Sequence, residues 1–449
     1  MKKRELIFFA ALATFLSANA QEKQTWSLED CINYALEKNI QLQQNKISLQ
    51  ESEVDVKTAK AALFPSLSFN TGHNIVNRPY QENSATVSGT EIISSNNKTT
   101  YNGSYSLSAQ WTLWNGGQRL NNIKQQKKNQ EIAELTVAET ENTLKEEITK
   151  LFLQILYADE SVNINKGTLE VSKATYERAK ELFNQGSISK ADLAQLEAQV
   201  GNDQYQLVTS ESSLRNYKLQ LKQMLELDGN MEMEMELELP VLDDEKVMQL
   251  LPNQDEVYQT ALANRPEIQS SKLSIDNSKL AISAAKSGYY PSISLSASTS
   301  SMTNNASQNN WAQQMKYGWN NMIGLTVSVP IFNNRQTKSA VEKAQFQYNS
   351  SLLNLQDKQK GLYTEIETLW LDALNAQQQY AAAEVKLKSS QTSFDMVSEQ
   401  FRLGMKNTVE LLTEKNNLLS AQQQRVQAKY MAILNRTLLD FYAGKDIEL

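Results

Sequence analysis

The sequence contains very few of the residues that build catalytic and metal sites. Its 449 residues include one cysteine, Cys31, and one histidine, His73. A single cysteine excludes an intramolecular disulfide, and a lone histidine lacks the several partners that a zinc site needs. No Ser-His-Asp, Cys-His or phosphate-loop arrangement is visible. We therefore expect no catalytic residues, no metal site and no cofactor, and the chain does not resemble an enzyme.

An excess of positive charge and long apolar runs are also lacking. The formal net charge is −7, which argues against nucleic acid as a partner. After residue 20, no apolar run approaches the ~18 residues of a membrane-spanning helix. Membrane-facing strands would escape such a search, because alternating apolar and polar residues average out along the sequence.

The first 20 residues are typical of a secretory signal peptide. Residues 2–4 are basic, residues 6–16 are apolar except for Thr14, and residues 18–20 form a small-x-small cleavage site. We expect residues 1–20 to be removed and the mature chain to begin at Gln21. Because that position is not a cysteine, we expect no N-terminal lipid anchor.

Proline and glycine, at 7 and 15 residues, are rare enough to permit unusually long helices. Residues 118–184 contain no proline and one glycine, Gly167. Apolar residues there and downstream keep a seven-residue frame, which predicts coiled-coil packing. The predicted long helices are about 118–184, 189–228, 335–402 and 407–442. The first would extend roughly 100 Å, a length that suits a conduit better than a compact domain.

The second half of the chain repeats the first. Residues 113–118 return as 331–336 and residues 183–186 as 401–404, both 218 positions later. Each copy is predicted to contain a helix, two strands and two long helices. The internal repeat therefore predicts an architecture built from two similar halves. The predicted divisions are a first repeat at 21–230, a linker or equatorial segment at 231–252, a second repeat at 253–443 and a tail at 444–449. Residues 231–239 alternate Met or Leu with Glu, which predicts an exposed edge strand.

Four segments alternate apolar with small uncharged residues, as strands do. They lie at about 66–76, 103–114, 292–301 and 319–330. This pattern fits an apolar face toward lipid and a polar face toward water, and a soluble sandwich with one buried face is the alternative. Aromatic residues favour the membrane because four of them flank one end of the predicted hairpins, as an interfacial girdle does. They are Phe64, Trp114, Tyr290 and Phe332. Trp311 and Trp319 would lie at the other end.

Four strands cannot close a barrel, since the smallest membrane barrels have about eight. An open sheet edge in lipid leaves backbone groups unpaired at several kcal/mol each. The strands must therefore be shared between chains. Two chains would give eight strands and three would give twelve, and only the larger barrel leaves a useful lumen.

The order of these elements resembles the TolC-like outer-membrane efflux protein family. The likeness depends on the duplicated plan, on Pro65 and Pro291 at the helix-to-strand switches, and on the motif at residues 113–117. It implies a mainly α fold with transmembrane β: a trimeric 12-stranded barrel, four strands per chain, continued by a long helical barrel with a mixed equatorial region. It also implies passive conduction, a homotrimer, a periplasmic adaptor, an indirectly linked inner-membrane transporter and contact with outer-membrane lipid.

The same resemblance suggests a pore gate beside two helical tips. Glu410 falls where the family carries an acidic ring, and Thr413 falls at the second ring position without an acid. Lys406 and Asp192 match a basic–acidic tie between the tips, while Phe401 replaces a tyrosine that often joins it. The alternative is helix capping, with Asp192 and Glu410 as acids in the first turns after Ser189 and Asn407. The implied adaptor-docking tips are Gly186 and Ser187, and Gly404 and Met405.

These inferences lead to one preferred function and several alternatives. The preferred function is the outer-membrane exit duct of a tripartite efflux pump, which exports small molecules and extends into the periplasm. The alternatives are a type I protein-secretion duct and a periplasmic coiled-coil scaffold that does not conduct. A diffusion porin working alone is disfavoured, because a porin needs only strands and loops.

Overall fold

A computed structural model describes residues 25–80, 84–88, 91–95, 98–227, 237 and 244–447. The predicted signal peptide lies outside the described residues, as does the predicted edge strand at 231–239 apart from Leu237. Leu237 forms a parallel bridge with Trp26.

Helices dominate the described part of the chain, and the longest form where proline is absent. They are α1 (Leu28–Lys38), α2 (Ile40–Ala61), α3 (Gln118–Asn184), α4 (Lys190–Met224), α5 (Asp244–Val247), α6 (Gln254–Asn264), α7 (Pro266–Lys286), α8 (Trp311–Tyr317), α9 (Gln336–Arg402) and α10 (Thr408–Tyr442). The long helices α3 and α9 have 67 residues each, or roughly 100 Å. Each is followed by a 35-residue helix. None of the described helices combines the length and apolar character that crossing a membrane requires.

Four of the strands form one antiparallel sheet in the order β1-β4-β5-β6. The strands are β1 (Ser66–Asn77), β2 (Ser84–Ser88), β3 (Glu91–Ser95), β4 (Thr99–Asn115), β5 (Ser292–Asn304) and β6 (Asn320–Ser328). The predicted fold class, mainly helical with four strands per chain, is confirmed. The long connections contain regular structure of their own: β2 and β3 form a separate hairpin between β1 and β4, and α8 lies between β5 and β6.

The chain divides into two compact units, and each takes residues from both repeats. The first unit consists of Met1–Lys46, Thr136–Gln269 and Asp357–Leu449, and the second of Ile47–Leu135 and Ser270–Gln356. The apolar residues that repeat with the seven-residue frame form a seam along each long helix. The core of the first unit forms where the seams of α3, α4 and α10 meet α1. Ile148, Phe152 and Leu221 are fully buried there, together with Cys31. Burial raises the pKa of the Cys31 thiol to about 12.

A buried arginine joins three helical segments of the first unit. Arg265, between α6 and α7, donates from Nη2 to Glu146 Oε1 of α3 at 2.6 Å. Its guanidinium carbon lies 3.7 Å from the centre of the Tyr442 ring at the end of α10, a cation–π contact. Burial raises the pKa of Glu146, and the contact with Arg265 opposes this shift. The end of α10 is thereby fixed to the middle of α3.

The second unit holds the sheet and the helix segments that lead into it. Ser278 of α7 and Ser351 of α9 share a buried hydrogen bond of 2.9 Å. At the start of the sheet, Trp111 donates from Nε1 to the Leu63 carbonyl at 2.8 Å. The first bond holds α7 against α9, and the second lies where the chain turns from α2 into β1.

Candidate functional site: the helix tips and the exposed sheet face

Two tight turns join the long helices, and both need glycine for a backbone reason. Gly186 and Gly404 have φ values of +74° and +73°, and a Cβ at either would meet no atom within 4 Å. The amide of Ser187 donates to the Leu182 carbonyl at 2.8 Å, and that of Met405 to the Gln400 carbonyl at 2.8 Å. These are Schellman turns, in which a left-handed residue ends the helix. The matching glycines therefore give the two tips the same backbone path.

The helix after each tip begins with a capping box. Asp192 and Ser189 cap α4, with the Asp192 amide donating to Ser189 Oγ at 3.1 Å. Glu410 and Asn407 cap α10, with the Glu410 amide donating to Asn407 Oδ1 at 2.9 Å. The capping interpretation of both acids is confirmed. It does not exclude a second role, since one carboxylate oxygen remains available to other partners.

Lys406 binds Glu410 and not Asp192. Lys406 Nζ donates to Glu410 Oε1 at 2.6 Å, so the ion pair lies within one tip. Asp192 accepts from the Ser189 hydroxyl at 2.6 Å, which is the main reason that its pKa is lowered, and Thr408 lowers this pKa further. The pKa of Glu410 is lowered chiefly by the hydrogen bond from Lys406. The Lys406–Glu410 pair therefore does not link the two tips, and the side chain of the other tip that influences Asp192 is Thr408.

The other predicted gate residues have distinct environments. Phe401 is buried at 7% exposure and packs with Ala179, Leu196 and Leu411, so it joins the two tips by apolar contact. Thr413 is exposed and donates its hydroxyl to the Val409 carbonyl at 2.8 Å. A cleft of about 510 Å³ between the tips is lined by Asp192, Lys406 and Phe401 among others. The structure thus brings most of the predicted gate residues to one cleft.

A buried charged cluster near the tips was missed in the sequence. Lys415 of α10 donates to both Asp203 of α4 and Ser172 of α3. Gln199 donates to the other Asp203 oxygen at 2.9 Å. The Lys415 and Asp203 side chains are only 7% and 4% exposed, and burial lowers the pKa of Lys415. A signal was present, since both residues occupy seam positions, between Leu411 and Leu418 and between Leu196 and Leu207.

The sheet exposes a broad apolar face in the single chain. Leu67, Ile323 and Leu325 are 70%, 79% and 63% exposed, and their register places them on the same side. The opposite side carries small polar residues, and Ser68 and Ser108 hydrogen-bond there at 2.9 Å. Exposed apolar patches of this extent mark interaction surfaces.

The four predicted interfacial aromatics flank one end of this sheet. Phe64 and Tyr290 precede β1 and β5, Trp114 lies at the end of β4, and Phe332 follows β6. The antiparallel order of the strands brings these four ends together. Their exposed fractions are Phe64 73%, Trp114 46%, Tyr290 59% and Phe332 85%.

The comparisons with known proteins agree with this fold. The chain matches the outer membrane efflux protein family over residues 31–226 and 257–445. It is 25% identical to the alkaline protease secretion protein AprF of Pseudomonas aeruginosa over 193 residues, which is 42% of this chain and 39% of AprF. It is 22% identical to the outer membrane protein TolC of Escherichia coli over 312 residues, which is 68% of this chain and 62% of TolC. The match thus spans less than two thirds of either relative.

A solved structure extends the likeness over nearly the whole chain. The Campylobacter jejuni CmeC outer membrane channel superposes with a TM-score of 0.77 at 18% identity, covering 96% of this chain and 92% of that one. At this identity the superposition shows a shared fold. Because the family match extends over most of the sequence, the protein belongs to the outer membrane efflux protein family.

Proposed function

We propose that three copies of this protein form an outer-membrane exit duct of a tripartite efflux pump. The observation that carries the proposal is the exposed apolar face of a sheet whose edge strands, β1 and β6, pair on one side only among the described residues. Lipid is the environment in which such a face is favourable. An unpaired edge is costly there, because each unsatisfied backbone group costs several kcal/mol.

A homotrimer would both place the apolar face in lipid and pair the open edges of the sheet. Joining the β6 edge of one copy to the β1 edge of the next would satisfy the edge groups and close the sheet. Three copies of four strands give twelve strands, whereas two copies would give a barrel of about eight, which side chains fill. The polar face, with its serines and threonines, would then line a wet lumen.

The long helices support a duct that continues into the periplasm. At roughly 100 Å each, α3 and α9 exceed what a membrane pore needs. Their tips are the proposed docking site for a periplasmic adaptor, through Gly186 and Ser187 on one turn and Gly404 and Met405 on the other. Met405 is 69% exposed, as an apolar docking residue requires. The adaptor would link the duct to an inner-membrane transporter that supplies the energy.

The gate proposal follows from the charges beside the tips. Three Glu410 side chains around a threefold axis would attract cations and repel anions, and Lys406 would moderate this effect within each chain. Phe401 would hold the two tips of a chain together by apolar packing, and Asp192 would interact with Thr408 of the other tip. Thr413, at the second ring position, would contribute a neutral polar group.

Planar bilayers and the mass of the detergent complex test the duct. We expect discrete conductance steps and a particle of three chains. A water-soluble monomer that conducts nothing would contradict the proposal and favour a periplasmic scaffold. Protein secretion is the second candidate, because the relative AprF is named as a secretion protein. Deleting the gene separates the two: efflux predicts greater sensitivity to small toxic molecules, and secretion predicts loss of a protein from the medium.

A further inference from the structure

Helix α8 lies on the apolar side of the sheet, at the end away from Phe64 and Tyr290. Ser301 of β5 pairs with Tyr105 and lies on the same side as Leu295, since side chains alternate along a strand. Its hydroxyl donates to the Met315 carbonyl of α8 at 3.0 Å, and Ser301 is only 3% exposed. The helix therefore covers the polar end of an otherwise apolar face.

Several contacts hold α8 in this position. Gln314 accepts from the Asn304 amide at 2.7 Å and donates to the Asn304 carbonyl at 3.1 Å. Asn310 and Gln313 form a capping box at its start. At its end, a Cβ on Gly318 would lie 3.0 Å from Ser301 Oγ and 2.9 Å from the Gln314 carbonyl, so only glycine permits the close approach. The helix is a fixed part of the sheet's outer end.

Aromatic rings run from α8 across the neighbouring strands. Trp311 donates from Nε1 to the Tyr105 hydroxyl at 3.3 Å and meets that ring edge-on at 6.2 Å between centres. Tyr105 contacts His73, and His73 stacks on Tyr101. Rings that carry a polar atom are typical of the boundary between hydrocarbon and headgroups.

The length of β5 between the aromatic end of the sheet and α8 is close to the thickness of the apolar layer of a membrane. From Ile293 to Ser301 there are eight residue steps, about 26 Å along a strand. A strand tilt of roughly 40° reduces this to about 20 Å of thickness, near the ~25 Å apolar band of outer-membrane barrels. Helix α8 begins where this band ends.

The exposed surface of α8 carries one positive charge. Lys316 is the only charged residue in the segment 292–328, and it forms no ion pair within the described part of the chain. Trp311 and Trp319 are 58% and 60% exposed. A cation beside exposed indoles fits a layer that contains phosphate groups next to hydrocarbon.

We propose that α8 is an interfacial helix that lies in the headgroup layer of the membrane and binds the phosphate groups of anionic lipids through Lys316. This proposal rests on the proposed function, because it requires the apolar sheet face to be in lipid. It adds a lipid-binding element to the connection between β5 and β6. Trp311 and Trp319 mark the boundary, and Lys316 faces the phosphates.

Depth-dependent fluorescence quenching tests the position of α8. Single cysteines at Ala312, Leu325 and Met302 would be labelled with a fluorophore in the full chain, and the unmodified chain, in which Cys31 is buried, gives the background labelling. The labelled proteins would be reconstituted in vesicles whose lipids carry a nitroxide on the headgroup or in the acyl chain. We expect Ala312 to be quenched at least threefold more by the headgroup nitroxide, and Leu325 more by the acyl-chain nitroxide. Met302, on the opposite face, should respond chiefly to a water-soluble quencher.

The two proposals fail in different ways in this experiment. If Leu325 responds to lipid quenchers and Ala312 behaves like Met302, α8 is not interfacial, while the duct stands. If Leu325 also escapes every lipid quencher, the sheet is not in the membrane and both proposals fall.

The role of Lys316 is tested with the Ala312 label and nitroxide-bearing phosphatidylglycerol or phosphatidylcholine. We expect about twofold more quenching by the anionic lipid, and we expect K316Q to abolish this preference. The matched control is K358Q, at an exposed lysine of α9 in the other unit, which should keep it. Equal quenching by both lipids in the unmodified chain, or a preference that survives K316Q, would overturn the headgroup assignment.

Discussion

Lys415 and Asp203 occupy seam positions that apolar residues otherwise fill, and each compensates for the burial of the other. The pair joins α10, from the second repeat, to α3 and α4, from the first, through Ser172 and Gln199. A buried pair adds little net stability relative to a well-packed apolar pair. It does favour one alignment of the helices, because each group is satisfied only when the other is opposite.

Removing one member of this pair should therefore destabilise the chain more than removing both. We expect Lys415→Met to cost about 3–5 kcal/mol, because it leaves Asp203 buried without a cation. The double variant with Asp203→Leu should recover most of the loss. Thermal unfolding followed by circular dichroism in detergent measures both. Lys279→Met is the control, since the exposed Lys279–Asp276 pair should have no measurable effect. Equal losses in the single and double variants would remove the pairing argument.

Glu410 and Lys406 allow a charge test of the gate. Glu410→Gln should lower the cation preference of the channel, and Lys406→Gln should raise it, because each removes one member of the 2.6 Å pair. Glutamine retains the capping role at the third helical position, so the helix start is preserved. The reversal potential under a salt gradient gives the preference. Shifts in the same direction, or none, would place these residues outside the ion path.

At the scale of elements, a glycine of a tip turn and a glycine inside a helix can be compared to measure the cost of backbone strain without steric crowding. A Cβ at Gly186 or at Gly167 would meet nothing within 4 Å, but only Gly186 has a positive φ. Gly186→Ala should therefore destabilise the chain by about 1–2 kcal/mol. Gly167→Ala, inside α3, should stabilise it by about 0.5–1 kcal/mol. Denaturant unfolding of the two variants against the unmodified chain gives both signs, and a stabilising Gly186→Ala would contradict the left-handed turn.

The capping box of α4 should make its first turn sensitive to acid. The pKa of Asp192 is lowered by Ser189 and Thr408, so its contribution is present above the ordinary aspartate pKa of about 3.9. It is lost as pH falls through the lower pKa of the folded chain. Amide protection factors in the first turn of α4 should drop as the pH falls below about 4. Asp192→Asn should flatten this dependence. An unchanged pH response in that variant would assign it to another group.

The sequence predicts elements whose signal is local, and it misses those that depend on distant contacts. The heptad frame and the absence of proline predict α3 and α9, and alternation predicts the four strands of the sheet. The Lys415–Asp203 pair was missed because its partners lie 212 positions apart. The sequence does not predict helix α8, because its seven residues are too few to show a period. Its capping box at Asn310 and Gln313 was the available signal.

At the scale of the whole molecule, the central question is which face of the sheet meets lipid. Leu325 and Thr326 are neighbours on β6 and point to opposite sides, so one substitution at each position tests the two faces. Arginine at Leu325 would place a charge in the apolar band, where it costs about 2–4 kcal/mol near the bilayer midplane. Arginine at Thr326 would face the proposed lumen and remain hydrated.

We therefore expect Leu325→Arg to reduce folding into lipid vesicles strongly, while Thr326→Arg folds and shifts ion selectivity toward anions. The folded fraction from density-gradient flotation and the reversal potential in planar bilayers measure these outcomes. The comparison is matched because strand, depth and added side chain are shared and only the face differs. If both variants insert equally, the apolar face is covered by protein and not by lipid. If only Thr326→Arg fails, the two faces are assigned in reverse, and the lumen of the duct would be apolar.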